Sequence, residues 1–169
     1  VLDPACHDSA EVRANLAMTL AQASGRAGMV LGQALDIAAE SAETELTLDQ
    51  ITELQAGKTG ALIVWSAQAG ARLGQADTKP LTDYATALGL AFQIADDILD
   101  VEGVARTVGK AVGKDADRGK ATFVSLLGLD AANARARDLV SAACDAMSPY
   151  GARADTLNAA AQFVISRDT

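Results

Sequence analysis

An all-α fold, an antiparallel helix bundle, is predicted by three features of this sequence. Half of its 169 residues are apolar, yet aromatics make up only 4% and alanine is abundant, a balance that favours helices packed at close range. β-Branched residues are scattered rather than gathered into the short runs that make strands. Apolar residues recur at helical spacing in stretch after stretch, with glycine and proline as punctuation.

The first such pattern covers residues 9–22, Gly25 breaks it, and a second runs over 27–42; so tight a join predicts antiparallel packing. Thr47, followed three residues later by Gln50, is a capping box that starts a third helix reaching about Gln55, with Gly57 as its punctuation. Residues 58–73 carry small and apolar side chains on most faces, which predicts an interior helix with Trp65 as core filling. Pro80 suits a first turn, and 81–101 form the longest and most apolar helix, ending near Gly103. Residues 103–120 hold four glycines and five lysines or arginines without helical period, a connection long enough that a functional role is expected of it. Segments 121–127, 131–147 and 152–166 are the remaining helices, with Pro149, Tyr150 and Gly151 between the last two.

A net charge of −8 has the wrong sign for broad binding of a nucleic acid, so any anionic ligand must be held locally. Cys6 and Cys144 stand far apart, without the spacing of a zinc site or a disulfide framework. No run has the length of a membrane span and no charged-then-apolar leader opens the chain, from which a cytoplasmic location is expected. Residues 1–169 read as part of one domain; the chain opens on Val1 and enters helical pattern abruptly, which suggests an upstream portion.

Chemistry concentrates near the end of the most apolar helix, in Phe92-Gln93-Ile94-Ala95-Asp96-Asp97-Ile98-Leu99-Asp100. On a helical wheel Asp96, Asp100 and Asp97 fall at about 0°, 40° and 100°, with Gln93 at about 60°, while Ile94, Ile98 and Val101 point the other way. Carboxylates about 6 Å apart repel by roughly 3 kcal/mol at an effective dielectric of about 20, so a cation is needed to offset the cluster. An all-oxygen set that leaves positions to water and phosphate suits Mg²⁺. Alone, three aspartates are better read as a solvated acidic face. Their company favours a diphosphate site: Lys58-Thr59 and, on the second helix, Gln33 and Asp36 accompany them, and lysines after the aspartates, Lys110 and Lys120, join Lys58 as the ammonium donors a metal-bridged diphosphate requires, with Lys114 read as solvent-exposed. The Gly-Lys pairs 109–110, 113–114 and 119–120 do not form a P-loop, because the upstream glycine, the following Ser/Thr and a preceding strand are all missing.

In their order, Gly32-Gln33-x-x-Asp36, Lys58-Thr59-Gly60-Ala61-Leu62, Phe92-Gln93 with the DDILD motif, Gly109-Lys110 and Gly119-Lys120-Ala121-Thr122 resemble the trans-prenyl diphosphate synthases, and Phe163-Val164-Ile165-Ser166-Arg167 resembles that family's final helix. The resemblance implies that Asp96 and Asp100 bind Mg²⁺ bridging to an allylic diphosphate, with Asp97 in support, and that Lys58, Lys110 and Lys120 contact the diphosphate. Thr59, Gln93, Gln33 and Asp36 would line the reaction pocket. It further implies condensation of isopentenyl diphosphate with the allylic substrate, giving a short-chain product such as farnesyl or geranylgeranyl diphosphate, and a homodimer. The family's first aspartate-rich motif is not found here, so this chain alone is expected to be inactive. A class I terpene cyclase and a non-catalytic subunit of a prenyl synthase complex are the alternatives.

Overall fold

The computed structural model describes residues 1–108 and 121–167, with the backbone alone described over 104–108. Its elements are α1 (Ala10–Ser24), α2 (Met29–Glu40), α3 (Leu48–Gln55), a π turn (Ala56–Gly60), α4 (Ala61–Leu73), α5 (Lys79–Val108), α6 (Phe123–Leu127), α7 (Leu129–Ala146) and α8 (Asp155–Ser166). Short 3₁₀ turns occupy Pro4–Cys6 and Ser148–Ala154. No strand occurs among the described residues, and none of their helices is long and apolar enough to cross a membrane.

Local chemistry sets the helix starts. Ser9 accepts the Val12 N–H at the head of α1, and both arms of the expected capping box form at Thr47 and Gln50. A second capping box, Thr122 with Ser125, opens α6. Gly128 and Gly151 take the positive φ that ends α6 and breaks the chain between α7 and α8.

The structure departs from the sequence expectations at three places. Helix α5 continues through Gly103 to Val108, because one exposed glycine costs only about 1 kcal/mol in a helix and no C-cap forms there. Gly57 does not end a helix outright; the chain widens through the π turn, so Lys58 and Thr59 lie ahead of α4 rather than opening it. On α4 only Ala71 is fully buried, since the helix packs on α1 and α5 and leaves its remaining side half-covered. Trp65 accordingly sits half-buried in a groove against α1, its indole N–H donating to Thr19 Oγ1 at 3.0 Å.

Helices α5 and α7 form the centre of the bundle. Tyr84, Ala85, Ala91 and Ala95 pack with Val140, Ala143 and Met147, and with Ala161 and Val164 of α8. A second apolar cluster joins Ile94 and Ile98 to Ile51 of α3, Phe123 and Val124 of α6, and Ala132 and Ala136 of α7. The alanines let the backbones approach closely, so few aromatics are needed to fill the core.

Tyr84 is the one large polar side chain in the first cluster; its hydroxyl donates to the Leu157 carbonyl at 2.8 Å. Burial pushes its phenol above the ordinary value of 10.0, and the neighbouring Cys144 adds in the same direction. Both folded and unfolded chains hold the proton below about pH 10, so this contribution is complete there; above it the unfolded chain ionises first and stability falls until the folded phenol ionises too. Urea midpoints measured from pH 8 to 11 should therefore drop above pH 10, and Tyr84→Phe should remove that added slope at a cost of about 1 kcal/mol.

Candidate active site

The lysine half of the site begins with two glycines. Gly32 on α2 and Gly57 in the π turn face each other so closely that a Cβ on Gly32 would lie 2.0 Å from the Lys58 nitrogen and 2.6 Å from the Gly57 carbonyl carbon. Bare backbone therefore sets the approach of α2 to the π turn. Asp36 lies one helical turn beyond Gly32 on the same buried face, and Lys58 Nζ donates to Asp36 Oδ2 at 2.6 Å. Asp36 is only 4% exposed, so its charge requires such a partner. Lys58 keeps a third of its side chain in contact with solvent, and this bond uses one of its three donors. Thr59 is half-buried in the same turn.

Gln33 does not join this pair. It is exposed, although sequence places it on a face with Asp36; the buried face of α2 is the Gly32–Asp36 line.

The carboxylate half is built on α5. Ile94 and Ile98 enter the core as expected, Val101 is half-buried, and the opposite side shows Gln93 and Asp96 half-buried and Asp100 exposed. The three aspartates do not converge: among the described residues no three His, Cys, Asp or Glu side chains gather as a metal site. Asp97 turns instead to α6, where its Oδ2 accepts the Phe123 N–H at 2.7 Å. Asp96 and Asp100, one turn apart on the open side of the helix, remain as hard oxygen donors. That pair fits Mg²⁺, which is commonly held by one or two carboxylates with water and substrate phosphate completing its shell. Lys110 and Lys120 lie outside the described residues.

Arg167 is the residue that sequence reasoning missed. Its guanidinium forms an ion pair with Asp96 and stacks over the Phe92 ring, 4.3 Å from the centroid. Phe92 and Asp96 are one turn apart, so a single arginine following α8 spans both. No local motif announces a contact across 71 positions of sequence. The Asp97–Phe123 bond was equally hidden, although the Thr122–Ser125 capping pattern marks where a helix with open N–H donors begins.

A bundle made only of helices, with a carboxylate face on its central helix and a lysine seated on the neighbouring turn, is the class of fold and site now reached. The Polyprenyl synthetase family model matches residues 7–156, and the chain belongs to that family. It is 39% identical over 170 residues to the farnesyl diphosphate synthase of Haemophilus influenzae, covering 94% of this chain and 55% of that protein. Its structure resembles an FPP/GFPP synthase from Zymomonas mobilis, with a TM-score of 0.85, 42% identity and coverage of 96% of this chain and 54% of the other. It also resembles a geranyltransferase from Helicobacter pylori solved with magnesium and isoprenyl diphosphate, with a TM-score of 0.71, 31% identity and coverage of 94% and 52%. The chain thus spans about half the length of the relatives it matches.

Proposed function

We propose that this chain forms the diphosphate-ionising part of a cytoplasmic, Mg²⁺-dependent prenyltransferase that condenses isopentenyl diphosphate with an allylic diphosphate to a short-chain product. The observation that supports this reading most directly is the division of labour around α5: Asp96 and Asp100 present hard oxygens on its open side, while Asp36 holds Lys58 on the adjoining turn. The Helicobacter relative, which holds magnesium and isoprenyl diphosphate, supports the same ligands here.

Mg²⁺ on Asp96 and Asp100 would neutralise the leaving diphosphate. Lys58, Lys110 and Lys120 would supply ammonium contacts to the same group. Asp36 keeps Lys58 in place, because a lysine at this depth loses its orienting partner if that carboxylate goes. Gln93 and Thr59, both half-buried, would line the pocket where positive charge develops on the allylic carbon. The same reading includes a homodimer. Val30, Leu31, Leu35 and Ile37 leave apolar surface exposed along α2, which further protein would cover.

Joined to an upstream portion that carries the first aspartate-rich motif, the chain should convert isopentenyl diphosphate and an allylic diphosphate to a longer prenyl diphosphate in the presence of Mg²⁺, a chelator should stop it, and the 169-residue chain alone should not turn over. Release of pyrophosphate from the allylic substrate alone, into hydrocarbon, would transfer the assignment to a terpene cyclase.

A further inference from the structure

We infer that Asp97 is a positioning residue, clamping the start of α6 through the Phe123 amide, and does not contact the metal itself. Helix α6 is only five residues long, too short to hold itself in place by its own hydrogen bonds. Two anchors fix it. Phe123, 1% exposed, and Val124, 8% exposed, enter the cluster formed by Ile94 and Ile98. Asp97, which lies between those isoleucines in sequence, accepts the N–H of Phe123, the first residue of the helix. That N–H has no intrahelical acceptor, and a carboxylate there makes a charge-assisted bond with the positive end of the helix.

The Thr122 side chain accepts from Ser125 N–H and the Ser125 side chain accepts from Thr122 N–H, so the first turn of α6 is closed on itself and Asp97 takes the donor between. Residues 121 and 122 therefore enter the bundle at a point fixed by Asp97. This divides the three aspartates by role. Asp96, paired with Arg167, and the exposed Asp100 face the open side where a cation would be held, while Asp97 ties the chain that follows the connection to the helix carrying them.

The metal comparison in the test rests on the reading of the site as a Mg²⁺ centre; the exchange comparison does not. Hydrogen exchange of the intact protein should show the Phe123 amide speeding up by about ten- to a hundredfold in Asp97→Ala, the loss expected for one hydrogen bond to a charged acceptor. In Asp97→Asn the carboxamide oxygen can still accept, so protection should largely remain. Mg²⁺ titration in the presence of inorganic pyrophosphate should leave Asp97→Asn within about threefold of the parent, against a loss of more than about tenfold in Asp96→Asn. Unchanged Phe123 exchange in Asp97→Ala would overturn the clamp, as would a Mg²⁺ loss in Asp97→Asn equal to that in Asp96→Asn. If the alanine variant does not fold, Asp97→Leu, which fills similar space without an acceptor, takes over the exchange readout, and Asp97→Asn keeps the Mg²⁺ readout. If neither Asp96→Asn nor Asp97→Asn alters Mg²⁺ binding, the metal reading fails, and the exchange result alone settles the clamp.

Discussion

In the proposed Mg²⁺-dependent prenyltransferase, Asp96→Asn is expected to reduce prenyl transfer by on the order of 10²–10³-fold and to raise the Mg²⁺ concentration needed for half-maximal rate. The rate figure is what losing one charge-stabilising contact to a leaving group commonly costs. Asp96 already has a cationic partner in Arg167, so on the proposed reading a metal would compete with the guanidinium for one carboxylate. The pair is part-exposed, with 43% of the Asp96 side chain open to solvent, which limits its contribution to about 0.5–1 kcal/mol. Arg167→Gln should therefore tighten Mg²⁺ by about two- to fivefold when turnover is unaffected by other losses. Rate measured against Mg²⁺ concentration in the two variants gives shifts of opposite sign. A half-saturating concentration unchanged in Asp96→Asn would remove Asp96 from the metal site.

The helices were legible because their signals are local. The capping box at Thr47 and Gln50 forms as read, and the isoleucines of α5 lie on the core side that a 3.6-residue period requires. The π turn was not legible: Gly57 looks like a stop, but the helical path continues through a widened turn at Ala56–Gly60 that packs against Gly32. Gly103 misled in the opposite direction. Glycine ends a helix when the following backbone takes a C-cap geometry, and α5 simply runs on.

At the site, sequence spacing placed three aspartates within one arc but could not say what faces each of them. The arc spans about 100°, enough for Asp97 to meet α6 while Asp96 and Asp100 face outward. Gln33 fared similarly: three residues from Asp36 looks like one face, yet the packing of Gly32 on Lys58 buries the 32–36 line and leaves Gln33 in solvent. Partners that are backbone groups, such as Phe123 N–H, or that come from the far end of the chain, such as Arg167, leave no trace in a motif.

Gly32→Ala should destabilise the fold strongly for a single added methyl group. A Cβ placed 2.0 Å from the Lys58 nitrogen and 2.5 Å from its Cα meets backbone on both counts, so no rotamer change relieves it and α2 must move away from the π turn. Overpacking commonly costs about 1–3 kcal/mol, and a clash with backbone belongs at or above the top of that range. The functional loss follows from the same displacement. Moving α2 draws Asp36 off Lys58, which leaves a buried carboxylate without its ammonium and a lysine without its orientation. Gly103→Ala is the matching control: a Cβ there meets nothing within 4 Å, and alanine is favoured over glycine in a helix by about 1 kcal/mol. Thermal unfolding of the two variants should therefore move in opposite directions, downward for Gly32→Ala and slightly upward for Gly103→Ala. A Gly32→Ala protein as stable as its parent would mean that α2 and the π turn are not held in backbone contact, and the pairing of Lys58 with Asp36 would lose its structural basis.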